Sequence, residues 1–295
     1  MGGKNGRSPE TDWGDSVRIL ALGDVVGKPG RVAVSALVSA LRKADSVDFV
    51  VVNGENAAGG SGITPSIAQA LLTSGVDVIT SGDHIFRNHE VLEIIDKESR
   101  LLRPINMSPA AKGAGFGIFE AKNGVKVGVA NVIGRVYINI GSNPYVAAEE
   151  AVRQMCAQTP VLIVDIHAEA TSEKIAMGWF LDGKVSLVFG THTHVQTSDA
   201  RILPNGTAYI TDLGMSGPHD GVIGREKERV LSFQYTDMPT RFELAAGDVK
   251  VCGIMADVDE KTGKATAIES FMWVPETELP GKTLGPKATS GGQSA

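Results

Sequence analysis

The feature that most constrains this 295-residue chain is a repeated unit: a short apolar run, a polar patch where the run stops, then a helical pattern. Val17–Leu22 stops at Gly23-Asp24, Phe49–Val52 at Asn53-Gly54-Glu55-Asn56, and Val76–Thr80 at Gly82-Asp83-His84. Apolar runs this short, bounded by turn residues, read as strands buried on both faces. Between the first two, Val34, Leu37, Val38 and Leu41 recur at i, i+3, i+4 and i+7, the stripe of an amphipathic helix. Thr64-Pro65 opens a second helix with an N-cap and a proline at the first position, and Gly75 closes it. Strand, helix, strand in this order predicts parallel strands.

The second half is richer in strands. Phe116–Glu120 and Val125–Ala130 flank Asn123-Gly124, a hairpin signal, and Val249–Val258 and Ala265–Trp273 flank the turn-like Glu260–Lys264. Val161–Ile166, Val185–Phe189 and Ala208–Thr211 are further strands, and helices are expected near Tyr145–Ala157 and Thr171–Phe180. Met177, Trp179 and Phe180 are expected in the core. Two packed sheets with helices outside, in one α/β domain over residues 17–274, accommodate all of this. Residues 1–16 read as a flexible leader, and 275–295, rich in Gly, Pro, Ser, Thr and Lys, as a flexible tail.

Composition narrows the partners. A net charge of −6 argues against broad binding along a nucleic-acid backbone, which needs a positive surface. No apolar stretch approaches the ~20 residues of a membrane span, and the polar start lacks an export signal. Cys156 and Cys252 are too far apart in sequence for a metal motif, and read as two reduced thiols of a cytoplasmic protein.

The polar patches carry the chemistry. Asp165-Ile166-His167 ends one strand, and Gly190-Thr191-His192-Thr193-His194 follows another. Residues two apart on an extended chain point to the same side, so His192 and His194 can aim two imidazoles into one pocket. Ligands of open α/β sheets bind outside the carboxyl ends of strands, which is where Asp24, Glu55, Asn56, Asp83, His84, His167, His192 and His194 all fall. Three carboxylates, an amide and three imidazoles are too many for one ion with an open position. They suit two ions sharing a carboxylate, and the mixed O/N set without thiolate favours Mn, Fe or Zn over Cu.

Gly-Asp-Val-Val-Gly, Asn-Gly-Glu-Asn, Gly-Asp-His, Asp-Ile-His-Ala-Glu-Ala-Thr-Ser-Glu-Lys and Gly-Thr-His-Thr-His, in that order, resemble the calcineurin-like metallophosphoesterases. More closely they resemble the YmdB-like branch, bacterial cyclic-nucleotide phosphodiesterases, as does Thr211–Pro218. The resemblance covers roughly Val17 to Trp273 and implies a four-layer αββα sandwich. It implies one ion held by Asp24, Glu55, Asn56 and His194, and a second by Glu55, Asp83, His167 and His192, with Glu55 bridging. His84 matches the histidine that contacts the substrate phosphate and serves the leaving group. Two features stand out: no histidine lies two residues after Asp24, its ligand place being taken by Asn56, and Asp83 stands where the family has Asn.

The activity implied is hydrolysis of small cyclic nucleotides, 2′,3′-cyclic and also 3′,5′-cyclic, by a metal-activated hydroxide. The metals implied are Fe or Mn, with Zn an option, and a homo-oligomer is also implied. The competing readings are a nucleotide-binding regulator with slow turnover, which only Asp83 favours, and a phosphomonoesterase or nuclease on the same site. Arg135 and His219 are candidate substrate contacts. Glu169, Thr171 and Glu173 either orient ligands or open a helix capped by Thr171 or Ser172, and His89 reads as surface.

Overall fold

Every residue of the first strand after Ser16 is buried, so its apolar run has to be covered on both faces. The computed structural model describes residues 16–281, 284 and 285. Its first half runs β1 (Ser16–Leu22), β2 (Asp24–Val25), α1 (Gly27–Lys43), β3 (Phe49–Asn53), α2 (Pro65–Thr73), β4 (Val78–Thr80), β5 (Phe116–Glu120) and β6 (Lys126–Ile133). Then come α3 (Pro144–Met155), β7 (Leu162–His167), α4 (Thr171–Leu181), β8 (Leu187–Thr191), β9 (Arg201–Ile202), β10 (Ala208–Ile210) and β11 (Met215–Pro218). The chain closes with α5 (Lys227–Thr236), β12 (Val249–Asp259) and β13 (Ala265–Trp273).

Among the described residues these strands form two mixed sheets. One has the order β2-β11-β12-β1-β3-β4, with β13 also paired to β12. The other has the order β5-β6-β7-β8-β10-β9. β1, β3 and β4 are parallel, as are β6, β7, β8 and β10. Alternation along the strands then builds the layers. Val17, Ile19 and Ala21 of β1, with Phe49 and Val51 of β3, meet Val127, Val129, Ile163, Leu187 and Phe189 of the facing sheet. Leu20, Leu22, Val50 and Val52 point the other way, onto Val34, Leu37, Val38 and Leu41 of α1 and Ile67 and Leu71 of α2. On the far side Val132, Leu162, Val164 and Val188 pack on Ala148, Val152 and Met155 of α3 and Met177 and Leu181 of α4. The result is the four-layer αββα sandwich.

Local chemistry sets the helix starts. Thr64 caps α2 by accepting from the Ile67 N–H, with Pro65 at its first position. Asn143 and Pro144 do the same for α3. For α4 the cap is Ala170, without a side-chain bond, so neither Thr171 nor Ser172 caps it. Trp179 corrects a core expectation: it is 51% exposed, on the outer face of α4, with the Arg201 guanidinium 5.7 Å from its ring. Residues 1–15 of the expected leader lie outside the described residues, and Ser16 opens β1. Of the expected tail, Leu279 and Leu284 pack on the α1–α2 side of the core, and Arg18 donates to the Gly285 carbonyl at 3.1 Å. Of the same tail, residues 282, 283 and 286–295 are outside the described residues. No described helix is long and apolar enough to cross a membrane.

Both cysteines are free, Cys156 exposed and Cys252 buried. Burial pushes the Cys252 thiol up to about 12, so the reactive thiolate is scarce at neutral pH. A thiol reagent at pH 8 should therefore titrate one thiol per native chain and two after denaturation. Two fast thiols in the native protein would contradict this packing.

Candidate metal centre

The parallel strands of both sheets end at the same rim. Asp24 opens β2 just beyond β1, β3 delivers Glu55 and Asn56, and β4 delivers Asp83 and His84 from one sheet; β7 delivers His167 and β8 delivers His192 and His194 from the other. Single ligating atoms of Glu55, Asp83, His167 and His192 all lie within 4.8 Å of one another. His167 Nε2 is 3.1 Å from Glu55 Oε2 and 3.3 Å from Asp83 Oδ1. His192 Nδ1 is 3.0 Å from His167 Nε2 and 3.6 Å from Asp83 Oδ1.

Asp24, Asn56 and His194 stand on the other side of Glu55. His194 Nε2 is 3.9 Å from Asp24 Oδ1 and 3.1 Å from Asn56 Nδ2, which also donates to Glu55 Oε1 at 3.0 Å. Asn56 Oδ1 faces His84 Nδ1 at 3.2 Å. A half-turn of this amide, which exchanges two nearly identical groups, places its oxygen among Asp24, Glu55 and His194. His84 is half-buried against the carboxylates, with Nδ1 3.4 Å from Glu55 Oε1 and Nε2 3.3 Å from Asp83 Oδ2.

Each imidazole is oriented from outside the cluster. The Thr191 hydroxyl donates to Asp165 Oδ1 at 2.7 Å, so its oxygen accepts from His167 Nδ1–H at 2.9 Å. His192 Nε2 lies 3.1 Å from the Glu169 carboxylate, and His194 Nδ1–H donates to the Ile223 carbonyl at 3.0 Å. One ring nitrogen of each histidine is thereby committed as a donor. The other, Nε2 of His167 and His194 and Nδ1 of His192, faces the carboxylates, where an ion that displaces any proton would meet it. Such outer partners are characteristic of histidines that hold a metal.

A buried polar layer supports this rim across both sheets. Asp165 accepts from Thr80 Oγ1 at 2.6 Å, Asn53 Nδ2 at 3.0 Å and Thr191 Oγ1 at 2.7 Å. Asn53 Oδ1 in turn receives the Glu55 N–H at 3.1 Å. Burial pushes the Asp165 carboxyl up to about 6.

The residues present fit a cation. Asp24 Oδ1 and Asp83 Oδ1 are buried and accept no hydrogen bond, although Asp24 Oδ2 takes the His192 N–H at 3.1 Å. A buried carboxylate oxygen without a donor is costly unless a cation faces it. Burial disfavours charge on His167, yet the Glu55 carboxylate, then Asp83 and Asp24, hold its pKa well above the usual range. The same field attracts a divalent ion. Burial and the neighbouring His167 push His192 down to about 4, so at neutral pH it offers a lone pair.

Gly82 makes the approach of the two sheets feasible. A Cβ there would stand 2.2 Å from Glu55 Oε2 and 2.2 Å from His167 Nε2, so only glycine admits both ligating atoms.

The remaining candidates have partners of their own. Arg135 is exposed, and its backbone N–H, with that of Val136, is held by Glu173 at 2.9–3.2 Å. Glu173 therefore anchors the Gly134–Val136 loop instead of orienting a ligand. His219 Nδ1 bonds the Gly217 carbonyl at 2.9 Å and its Nε2 lies 3.8 Å from Cys252 Sγ. His89 is exposed, as expected.

With fold and site in view, the comparisons define the class. A chain from Bacillus subtilis strain 168 described as a 2′,3′-cyclic-nucleotide 2′-phosphodiesterase is 44% identical over 256 residues, covering 87% of this chain and 97% of its own. The crystal structure of a novel phosphatase from Mycoplasma pneumoniae superposes with a TM-score of 0.81 at 33% identity, over 88% of this chain and 94% of that one. That of a hypothetical protein from Thermus thermophilus gives 0.79 at 36% identity, over 87% and 98%. These findings make the chain an enzyme of the metallophosphoesterase class, whose relatives are named phosphodiesterase and phosphatase. The sequence model of the YmdB-like proteins matches residues 20–271, and the chain belongs to that family.

Gly82→Ala should weaken ion binding at least about tenfold while far-UV circular dichroism stays unchanged. Isothermal titration with Mn(II) measures this, and unchanged affinity would mean that the two sheets do not need this close approach.

Proposed function

We propose that the chain hydrolyses 2′,3′-cyclic nucleotides at a two-metal centre. The observation that carries this is the convergence of Glu55, Asp83, His167 Nε2 and His192 Nδ1 within one ligation radius, with Asp24, Asn56 and His194 sharing Glu55. Glu55, Asp83, His167 and His192 would hold one ion, and Asp24, Glu55, Asn56 and His194 the other. Mixed oxygen and nitrogen donors suit iron or manganese, and also zinc. Bound ions would supply Lewis-acid charge neutralisation and an acidified water. The substrate class is supported by the B. subtilis relative, whose name states it. Hydrolysis adds water across one ring P–O bond and leaves a nucleoside monophosphate.

The chain's own residues do the rest. His84 stands beside the cluster as an imidazole beyond the ligand sets. Its hydrogen bond to Glu55 raises its pKa; burial opposes this, and the Glu55 and Asp83 charges reinforce it. From this position the His84 imidazole can deliver a proton to the departing ribose oxygen. The rim of exposed Val136, Tyr137 and Ile140 after β6 offers apolar surface for the sugar and base. The same reading extends to 3′,5′-cyclic substrates, to a cytoplasmic setting that suits two free thiols, and to a homo-oligomer.

The test is an assay of the protein loaded in turn with Mn, Fe(II) and Zn on 2′,3′-cAMP, 3′,5′-cAMP and an aryl phosphodiester. Turnover should follow the metal, favour 2′,3′-cAMP, and vanish with a chelator or in His192→Ala. His84→Ala should lose roughly 10²–10⁴-fold in kcat, the usual contribution of a general acid, with metal content unchanged by elemental analysis. Saturable nucleotide binding by the two-metal protein without product would contradict this reading and favour a regulator.

A further inference from the structure

His192 and His194 share a conformation that side chains rarely adopt. Their φ angles are +93° and +65°, in the left-handed region where a Cβ is crowded. Two such residues around a single threonine will not hold by themselves, so the surrounding structure has to impose the turn.

The tether lies at the residue between them. Thr193 Oγ1 donates to Asp212 Oδ2 at 2.6 Å and accepts from Lys174 Nζ at 2.9 Å. Lys174 Nζ also donates to Asp212 Oδ2 at 2.6 Å, closing a triangle. The Thr193 N–H points to the same oxygen at 3.3 Å, and Asp212 Oδ1 takes the Gly214 N–H at 2.7 Å. The side chains of Lys174 and Asp212 are both 1% exposed. Lys174 reaches the turn from α4 past Gly190, where a Cβ would stand 2.7 Å from Lys174 Cδ.

A buried ion pair adds little to stability compared with apolar packing of equal volume. What this one does is fix the middle of the turn from below. With Thr193 drawn down, the imidazoles on either side are directed up to the carboxylates. Lys174 and Asp212 belong to the sequence patches Asp165–Lys174 and Thr211–Pro218, and the ligand sets give neither residue a role.

We propose that Lys174, Asp212 and Thr193 are positioning residues that preset His192 and His194 for the two ions, one in each ligand set. This rests on the two-metal reading above. The three touch no substrate, and act only through the turn.

Thr193→Val removes the hydroxyl at nearly constant shape and leaves the ion pair in place. It should weaken Mn(II) binding by roughly 10- to 100-fold in calorimetry, the usual effect of losing a group that orients a ligand. Because both ligand sets lose a preset histidine, both binding steps should weaken. Thr193→Ser, which keeps the hydroxyl, should restore the affinity. At saturating Mn(II), Thr193→Val should recover most of its kcat, with KM for 2′,3′-cAMP little changed. The double variant Lys174→Met with Asp212→Leu fills the buried space with apolar groups and should show the same weakened binding, so it serves if Thr193→Val does not fold. Folded variants, judged by circular dichroism and Tm, that bind Mn(II) as tightly as the unaltered protein would overturn the proposal. So would a serine variant as weak as the valine one. If the unaltered protein itself bound no ions, the two-metal reading would fall instead.

Discussion

Like charge brought together out of water is the constraint on which this structure depends. Asp24 and Glu55 are almost wholly buried, and Asp83 joins them at the same rim. At an effective dielectric constant of ~20, two unit charges ~4 Å apart repel by about 4 kcal/mol. Three carboxylates in that space need compensating positive charge. Within the chain His167 supplies it, its pKa held far up by Glu55, Asp83 and Asp24 against the cost of burial. Divalent ions would supply more, and would meet oxygens of Asp24 and Asp83 that accept no hydrogen bond. The sandwich exists, in functional terms, to hold this unfavourable arrangement in place: the three carboxylates come from one sheet, His167, His192 and His194 from the other, and the Asp165 layer joins the two beneath them.

Much of this is legible in the sequence because strand ends are legible. Each apolar run is terminated by its functional patch, and parallel order puts all the patches on one rim. Less visible is which face of a strand meets which layer. Val17, Ile19 and Ala21 go inward while Leu20 and Leu22 go outward, yet all are apolar, so no alternation marks the difference. β2 and β11 are missed because they are two and four residues long, and β11 holds a glycine and a proline. Even so, the pairing of Met215 with Asp24 makes β11 the strand that seats this carboxylate. α5 is missed because none of its residues is buried, so it has no apolar stripe to read.

At the site, sequence places the residues but not their atoms. The three histidines can be named from their spacing; that His192 turns Nδ1 inward while the other two turn Nε2 follows only from Glu169, Thr191 and Ile223. His219 stands out in its turn-rich loop, yet only the fold shows that the Gly217 carbonyl holds its Nδ1. Lys174 looks like an ordinary surface position of a helix. Its burial comes from the passage that Gly190 leaves open beside β8, a tertiary circumstance with no local signal. Trp179 is the converse, an aromatic residue in an amphipathic helix that the fold leaves half exposed.

On the proposed reading, two ions share Glu55 and are bound by ring nitrogens already chosen by the groups behind them. Anomalous diffraction from crystals loaded with Mn(II) would show them. Two peaks are expected, ~3.5–4 Å apart. One should be bounded by Glu55, Asp83, His167 Nε2 and His192 Nδ1, the other by Asp24, Glu55, Asn56 and His194 Nε2. A single peak, or two peaks with His192 bound through Nε2, would contradict a shared centre with preset histidines.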